Sequence, residues 1–167
     1  GRLAVTRDID MNIYDGDDGQ LLQTISIPGL TWMTEWSHSG QYIAGVYVSY
    51  TEQGASSLIV WDLSSSATAV RFDDLNDLFV DLDWSPDDRG IVGVTRSGAV
   101  KWLDLESLTI TDIPVAGPVI ASAWSPYGGR VAIGQAVTPA GQARASTPGE
   151  AENYEIAFVV PDPSPAR

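Results

Sequence analysis

The sequence predicts an all-β fold built as four consecutive blade-like antiparallel sheets of three, four, four and three strands. Two recurring landmarks carry this prediction. A tryptophan followed by serine recurs at Trp36, Trp84 and Trp124, in each case 20 to 22 residues after an aspartate that ends an apolar run. Those aspartates are Asp15, Asp62 and Asp104. Landmarks that keep this spacing while loop lengths change indicate a repeated unit of about 40 residues, and such a unit buries its apolar face only against its neighbours.

The unit at residues 77–116 shows the predicted strand order most clearly. Its first strand, 79–84, leads into the turn 85–90, where proline, aspartate and glycine suit tight backbone geometry. The second, third and fourth strands are predicted at 91–95, 99–105 and 108–113. Four short strands in about forty residues are typical of one blade of a β-propeller.

The same order predicts three further units, at 1–28, 29–76 and 117–163, within one propeller segment that spans 1–167. The first unit shows no opening strand, and the last shows no fourth strand after its prolines. We therefore expect an incomplete ring with two open edges. Because unpaired strand edges are normally paired or covered, another polypeptide, a second copy or a further part of the same protein is expected to complete it.

The segment 138–152 is rich in proline, glycine and alanine and has almost no bulky apolar residue. Such a composition predicts a mobile loop. We expect limited proteolysis with trypsin to cut there first, after Arg144.

Acidic residues outnumber basic ones by 22 to 9, which gives a net charge of −13. A field of this sign repels phosphate backbones, so nucleic acid is not an expected partner. The acidity suits a solvated surface, a docking face for a basic partner or adaptation to high salt. No apolar run approaches the ~18 residues of a membrane helix, so no membrane span is expected. The absence of cysteine excludes disulfides and thiolate–metal sites.

Few residues could carry chemistry. His38 is the only histidine, and it is predicted in a surface turn, so no catalytic site is expected. Asp15, Asp17 and Asp18 offer the clustered carboxylates that calcium prefers, but they lack the spacing of a calcium-binding loop. A hairpin turn is the favoured interpretation of this segment, and a calcium site is the alternative. Motifs for phosphate, nucleotide or zinc binding are absent from the sequence, so no cofactor is expected.

The six tryptophans fall into two groups. The three at equivalent positions are expected to pack between sheets, where large rings remove much apolar surface from water. Trp32, Trp61 and Trp102 are placed less regularly. One of these three is a candidate for an exposed contact anchor.

Two segments, Trp84-Ser85-Pro86-Asp87 and Trp124-Ser125-Pro126, are each followed by an apolar strand and then by an apolar-aromatic-aspartate strand. They resemble the blades of TolB-type and bacterial WD-repeat β-propellers. Val60-Trp61-Asp62-Leu63 is similar to the WD dipeptide itself. The sequence departs from the family pattern at Ser37-His38-Ser39-Gly40, where Ser-Pro-Asp-Gly is typical. It also departs at Leu103, which replaces the tryptophan that typically precedes the aspartate. The Gly-His element of eukaryotic WD repeats is also missing.

The resemblance implies a non-enzymatic interaction scaffold, a subunit or fragment of a larger assembly with a protein partner. It also implies a bacterial protein, with extracytoplasmic location the favoured expectation. One alternative is a propeller domain attached to a peptidase or other enzyme whose catalytic part lies outside these residues. A small-ligand or calcium site at the propeller axis is a third possibility, because one fold hosts many functions.

Overall fold

The computed structural model describes residues 1–7, 9–48, 56–137 and 153–159. Fourteen β-strands and the turns between them make up this part of the chain. No helix that could cross a membrane occurs in it. The segment 138–152, predicted from its composition to be a mobile loop, lies outside the described residues.

The strands form four sheets. Sheet 1 contains β1 (Arg2–Arg7), β2 (Asp10–Asp15) and β3 (Leu21–Ser26). Sheet 2 contains β4 (Leu30–Trp36), β5 (Tyr42–Val48), β6 (Ser56–Asp62) and β7 (Ala67–Leu75). Sheet 3 contains β8 (Phe79–Trp84), β9 (Gly90–Thr95), β10 (Val100–Asp104) and β11 (Thr109–Ile113). Sheet 4 contains β12 (Val119–Trp124), β13 (Val131–Val137) and β14 (Asn153–Val159).

Every strand pairs with the strand that precedes or follows it in its sheet, and each pairing is antiparallel. Short turns suffice for such pairing, because antiparallel neighbours need no crossover connection. The predicted all-β fold, with three, four, four and three strands per sheet, is confirmed for the described residues.

The chain divides into two compact units, Gly1–Leu78 and Phe79–Arg167. In the first unit, sheets 1 and 2 share one hydrophobic core. Met11 and Ile13 of sheet 1 pack in it with Ile43 and Trp61 of sheet 2. Sheets are stabilised by burying apolar side chains against another sheet, and here both sheets contribute residues to the shared core.

The second unit repeats this arrangement with sheets 3 and 4. Its core contains Val92 and Val94 of β9, together with Val119, Val131 and Ile133 of sheet 4. The two valines of β9 are two residues apart and point to the same face, as the period of a strand requires. The first strands of the two sheets, β8 and β12, lie beside each other.

Glycines in the second strands of sheets 2 and 3 make room for aromatic rings. A methyl group added at Gly93 would lie 2.5 Å from two ring carbons of Phe79, and one added at Gly45 would overlap Tyr47. Both aromatic side chains are almost fully buried. The absence of a side chain at Gly45 and Gly93 is therefore a packing requirement of the sheets.

Candidate interaction surface

The serine of each tryptophan–serine pair closes the turn between the first and second strands, because its N–H donates to the carbonyl oxygen five residues further on. In two of the three turns the serine hydroxyl also accepts the N–H of that same residue. In sheet 3, Oγ of Ser85 accepts a hydrogen bond from the N–H of Gly90 at 3.1 Å. In sheet 2, Oγ of Ser37 accepts one from the N–H of Tyr42, also at 3.1 Å. His38 lies exposed in this second turn. Its departure from the family pattern thus leaves the turn bond in place.

The landmark aspartates have an equally local task at the turn between the third and fourth strands. Oδ1 of Asp62 accepts the N–H of Ser64 at 2.8 Å, and Oδ1 of Asp104 accepts the N–H of Ser107 at 2.8 Å. Asp15 makes the corresponding bond within its own turn. Asp side chains commonly stabilise turns by bonding to the backbone a few residues on. The spacing of these aspartates therefore reports turn positions.

These hydrogen bonds hold the pKa of two of the aspartates below the usual value of 3.8. The hydroxyl of Ser64 is the largest cause of the lowered pKa of Asp62, and the backbone N–H of Ser107 is the largest cause for Asp104. Donors aimed at a carboxylate favour its ionised form. Both groups act as structural acceptors at neutral pH.

The calcium candidates lie in the turn between β2 and β3. Asp15 accepts the N–H of Asp17 at 2.8 Å, and Asp18 accepts the N–H of Gln20 at 2.9 Å. The Asp17 carboxylate lies 3.7 Å from the amino group of Gly1. Within the described ranges no group of three or more His, Cys, Asp or Glu side chains could hold a metal ion. Asp15 and Asp18 thus bond to the backbone of the turn, and Asp17 lies near the amino group of Gly1.

The three equivalent tryptophans differ in burial, although Trp36 and Trp124 both pack against the hydrophobic core of their unit. Trp84 is fully buried, but Trp36 and Trp124 are only partly buried. The guanidinium carbon of Arg2 lies 5.1 Å from the ring centre of Trp36, a cation–π contact that leaves part of the ring in water. Trp124 packs edge-on against Trp102, with 5.7 Å between ring centres. Each indole thus meets different neighbours at the same strand position.

The irregular tryptophans also separate. Trp61 is buried and packs edge-on against Tyr47 at 5.1 Å. Trp102 is partly buried and covers Gly90, where an added methyl group would overlap the indole. Trp32 is 53% exposed. Of the three candidates for a contact anchor, Trp32 is the one that the fold presents to solvent.

Trp32 belongs to a repeated feature of the first strands. A register shift interrupts β4 between Thr31 and Met33, so Trp32 has no partner on β5. The first strands of sheets 3 and 4 shift at the same point, four residues before their final tryptophan. The residues left unpaired there are Val80 and Ile120, which are 36% and 50% exposed. A bulge re-aims one side chain out of the alternating pattern, and in all three sheets that side chain is large and apolar.

Two carboxylates lie beside this bulge in the second unit. Oδ2 of Asp81 accepts hydrogen bonds from the N–H of Ser122 at 2.6 Å and from its hydroxyl at 3.0 Å. Oδ2 of Asp83 accepts one from the N–H of Trp124. These carboxylates satisfy the backbone of β12 on the side that faces away from β13. The bulge residues Val80 and Ile120 therefore lie near two carboxylates that are held in place by hydrogen bonds.

Reasoning from the sequence missed Val80 and Ile120. The signal that could have found them is their shared place, four residues before Trp84 and Trp124, which Trp32 also has relative to Trp36. That alignment shows three bulky apolar residues, but only strand pairing shows that they leave the core face.

No protein-family model matches the chain, and no curated protein matches it. Among solved structures, the chain is similar to one from the crystal structure of the mitotic checkpoint complex, a WD40 β-propeller. The two are 17% identical, the TM-score is 0.61, and the alignment covers 80% of this chain and 42% of that chain. At this identity the likeness concerns the fold. The four sheets have the fold of β-propeller blades, and the chain spans 42% of the length of the propeller chain that it matches.

Proposed function

We propose that this chain is a non-enzymatic β-propeller interaction scaffold of the bacterial WD-repeat or TolB type, acting as part of a larger assembly. The observation that carries the proposal is the exposure of Leu3 on β1. Leu3 pairs with the residue that precedes Asp15. The equivalent position in each of β5, β9 and β13, the second strands of the other sheets, is also held by an apolar residue. Leu3 is 57% exposed, whereas those residues, Ile43, Ile91 and Val131, are 0% exposed.

The difference follows from what lies beside each strand. Ile43, Ile91 and Val131 each pair with the tryptophan that ends a first strand. In sheet 1 the described strands place β1 at the edge, with β2 on its other side. An exposed edge with apolar side chains is normally covered. The proposal is that a strand from a protein partner, or from a further part of the same protein, pairs with β1.

Two observations support the non-enzymatic part of the proposal. His38, the only histidine, is exposed in a turn, away from the buried polar surroundings in which catalytic bases are usually tuned. The sequence also lacks phosphate-, nucleotide- and zinc-binding motifs. The competing proposal is a propeller domain joined to a peptidase whose catalytic part lies elsewhere. Peptidase assays on the native polypeptide, with its intact mass, separate the two, because activity would favour the second.

The edge itself can be tested by thiol labelling, since the chain has no cysteine. Leu3→Cys introduces a single thiol, and Tyr127→Cys, at a position that is 97% exposed, is the matched control. The probe is a synthetic peptide that copies residues 77–87, which include the first strand of sheet 3 and the start of the turn that follows it. We expect the peptide to bind saturably and to slow maleimide labelling of the cysteine at position 3, with no effect at position 127.

A scrambled peptide should change neither rate. Light scattering provides a second readout, because a chain with an uncovered edge should self-associate without the peptide. The proposal would be contradicted by a monodisperse monomer that melts cooperatively and in which the peptide does not change the rate of labelling at position 3.

A further inference from the structure

The bulges of β8 and β12 place Val80 and Ile120 at the same position on two adjacent strands. A single exposed apolar residue is ordinary on a protein surface. Here, however, each first strand breaks its register at one point and exposes a large apolar side chain there, Trp32 in the first unit included. Fully burying such a side chain is worth about 1.5–3 kcal/mol, and these three, which are 36–53% exposed, realise only part of this gain. A repeated bulge that forgoes part of this gain indicates a contact surface.

The charge beside the two side chains specifies the partner. Asp81 directly follows Val80, and its carboxylate is held by the N–H and hydroxyl of Ser122. Within the described part of the chain, no cation lies at ion-pair distance from Asp81. Two of the basic side chains in this unit, Arg89 and Lys101, pair with Glu106 and Asp112. The whole chain also carries a net charge of −13.

We infer that the patch of Val80, Asp81 and Ile120 binds a protein segment in which an apolar anchor side chain is flanked by lysine or arginine. The anchor contacts the two exposed aliphatic side chains, and the flanking cation faces the fixed carboxylate of Asp81. Charge complementarity of this kind sets specificity and speeds association. The inference goes beyond pairing at β1, because all three residues belong to the second unit.

The probe for this patch is a fluorescein-labelled synthetic peptide of nine residues, in which leucine and tryptophan alternate with lysine. Two control peptides replace the lysines by glutamate, or the leucine and tryptophan by serine. Fluorescence anisotropy with the 167-residue chain should give saturable binding of the lysine peptide alone. Binding should weaken as salt is added, since exposed charges are screened.

Three variants locate the site. The double variant Val80→Ser/Ile120→Ser should bind the lysine peptide at least tenfold more weakly. Asp81→Asn keeps an oxygen acceptor for Ser122 but removes the charge, so binding should weaken severalfold and lose much of its salt dependence. Ile110→Ser is the matched control, because Ile110 is 38% exposed on β11 of the same unit. It should bind as the unaltered chain does.

Circular dichroism melts accompany each titration. If the double variant loses cooperative melting, Ile120→Ser alone and Asp81→Asn carry the test. The inference is overturned by an absence of saturable binding to the folded chain, by equal losses in Ile110→Ser, or by unchanged binding in the patch variants. Labelling at position 3 is read separately, so either proposal can fail while the other stands.

Discussion

Asp81 and Ser122 connect the first strands of two adjacent sheets through two hydrogen bonds to one carboxylate oxygen, at 2.6 Å and 3.0 Å. Asp83, two residues further along β8, makes a similar connection by accepting the N–H of Trp124. Hydrogen bonds from backbone N–H groups to carboxylates are among the stronger hydrogen bonds in proteins. The carboxylates of Asp81 and Asp83 thus accept N–H groups at the edge of β12, with which another strand could otherwise have paired.

Replacing Asp81 by alanine is expected to destabilise the second unit by about 1–3 kcal/mol, because a partly buried N–H then loses a charged acceptor. Denaturation with urea measures the loss, and hydrogen exchange should become faster at the amide of Ser122. Glu106→Ala is the control. It removes an exposed ion pair with Arg89, which is worth little. Equal stability of the two variants would contradict the assigned role of Asp81.

Gly93→Ala is expected to cost about 1–3 kcal/mol, because its methyl group would lie 2.5 Å from the ring of Phe79 and would overpack the sheet. Thermal melting followed by circular dichroism measures this. Gly134→Ala is the matched control on β13, since the nearest atom to its methyl group is 3.8 Å away. That variant should melt within a few degrees of the unaltered chain. A shift of the same size in both would show that loss of glycine itself is the cause.

Leu108 has a φ of 57°, a left-handed backbone conformation in which a leucine is strained. The matching turn positions, four residues after the landmark aspartates, hold Gly19 and Ser66, with φ of 74° and 58°. Because Leu108 is exposed and asparagine tolerates this conformation, Leu108→Asn should stabilise the chain by up to about 1 kcal/mol. A urea midpoint that falls in this variant would show that the leucine side chain makes a stabilising contact.

The stability of the fold should fall on acidification, with the change below about pH 4. The pKa values of Asp62 and Asp104 lie below 3.8 in the folded chain. A lowered pKa contributes stability above the unfolded value, and that contribution is lost as the pH falls through the folded value. Melting temperatures between pH 7 and pH 3 measure the effect.

The variant Asp104→Asn keeps a side-chain oxygen for the N–H of Ser107 but cannot ionise. Its melting temperature should therefore fall less steeply over the same range of pH. An identical slope in the variant and the unaltered chain would remove Asp104 as a source of the pH dependence.

The repeat and its turns could be predicted from the sequence, because local chemistry specifies them. Ser85 and Asp104 bond to backbone groups a few residues away, so their spacing reports turn positions wherever the sheets lie. The short apolar run of β9, bounded by turn residues on both sides, is equally local. For that reason the number and order of strands per sheet agree with the expectation.

The exposed residues of the candidate surface could not be predicted in this way. Val80 leaves the core face because β8 and β9 shift register between Phe79 and Asp81, and register depends on contacts between strands that are distant in sequence. The bonds from Asp81 to Ser122 span 41 residues. No local pattern distinguishes such a carboxylate from a solvated one.

By itself the sequence determined the strand order, the hairpin turns and the acidic charge, since each depends on residues close together in the chain. Tertiary structure alone decided which of three equivalent tryptophans is fully buried. It placed Trp84 out of reach of water, but set Trp36 beneath Arg2 and Trp124 against Trp102. Burial depends on what the neighbouring sheet supplies. Identical positions in a repeat can therefore have different exposure, as Leu3 and Ile43 also do.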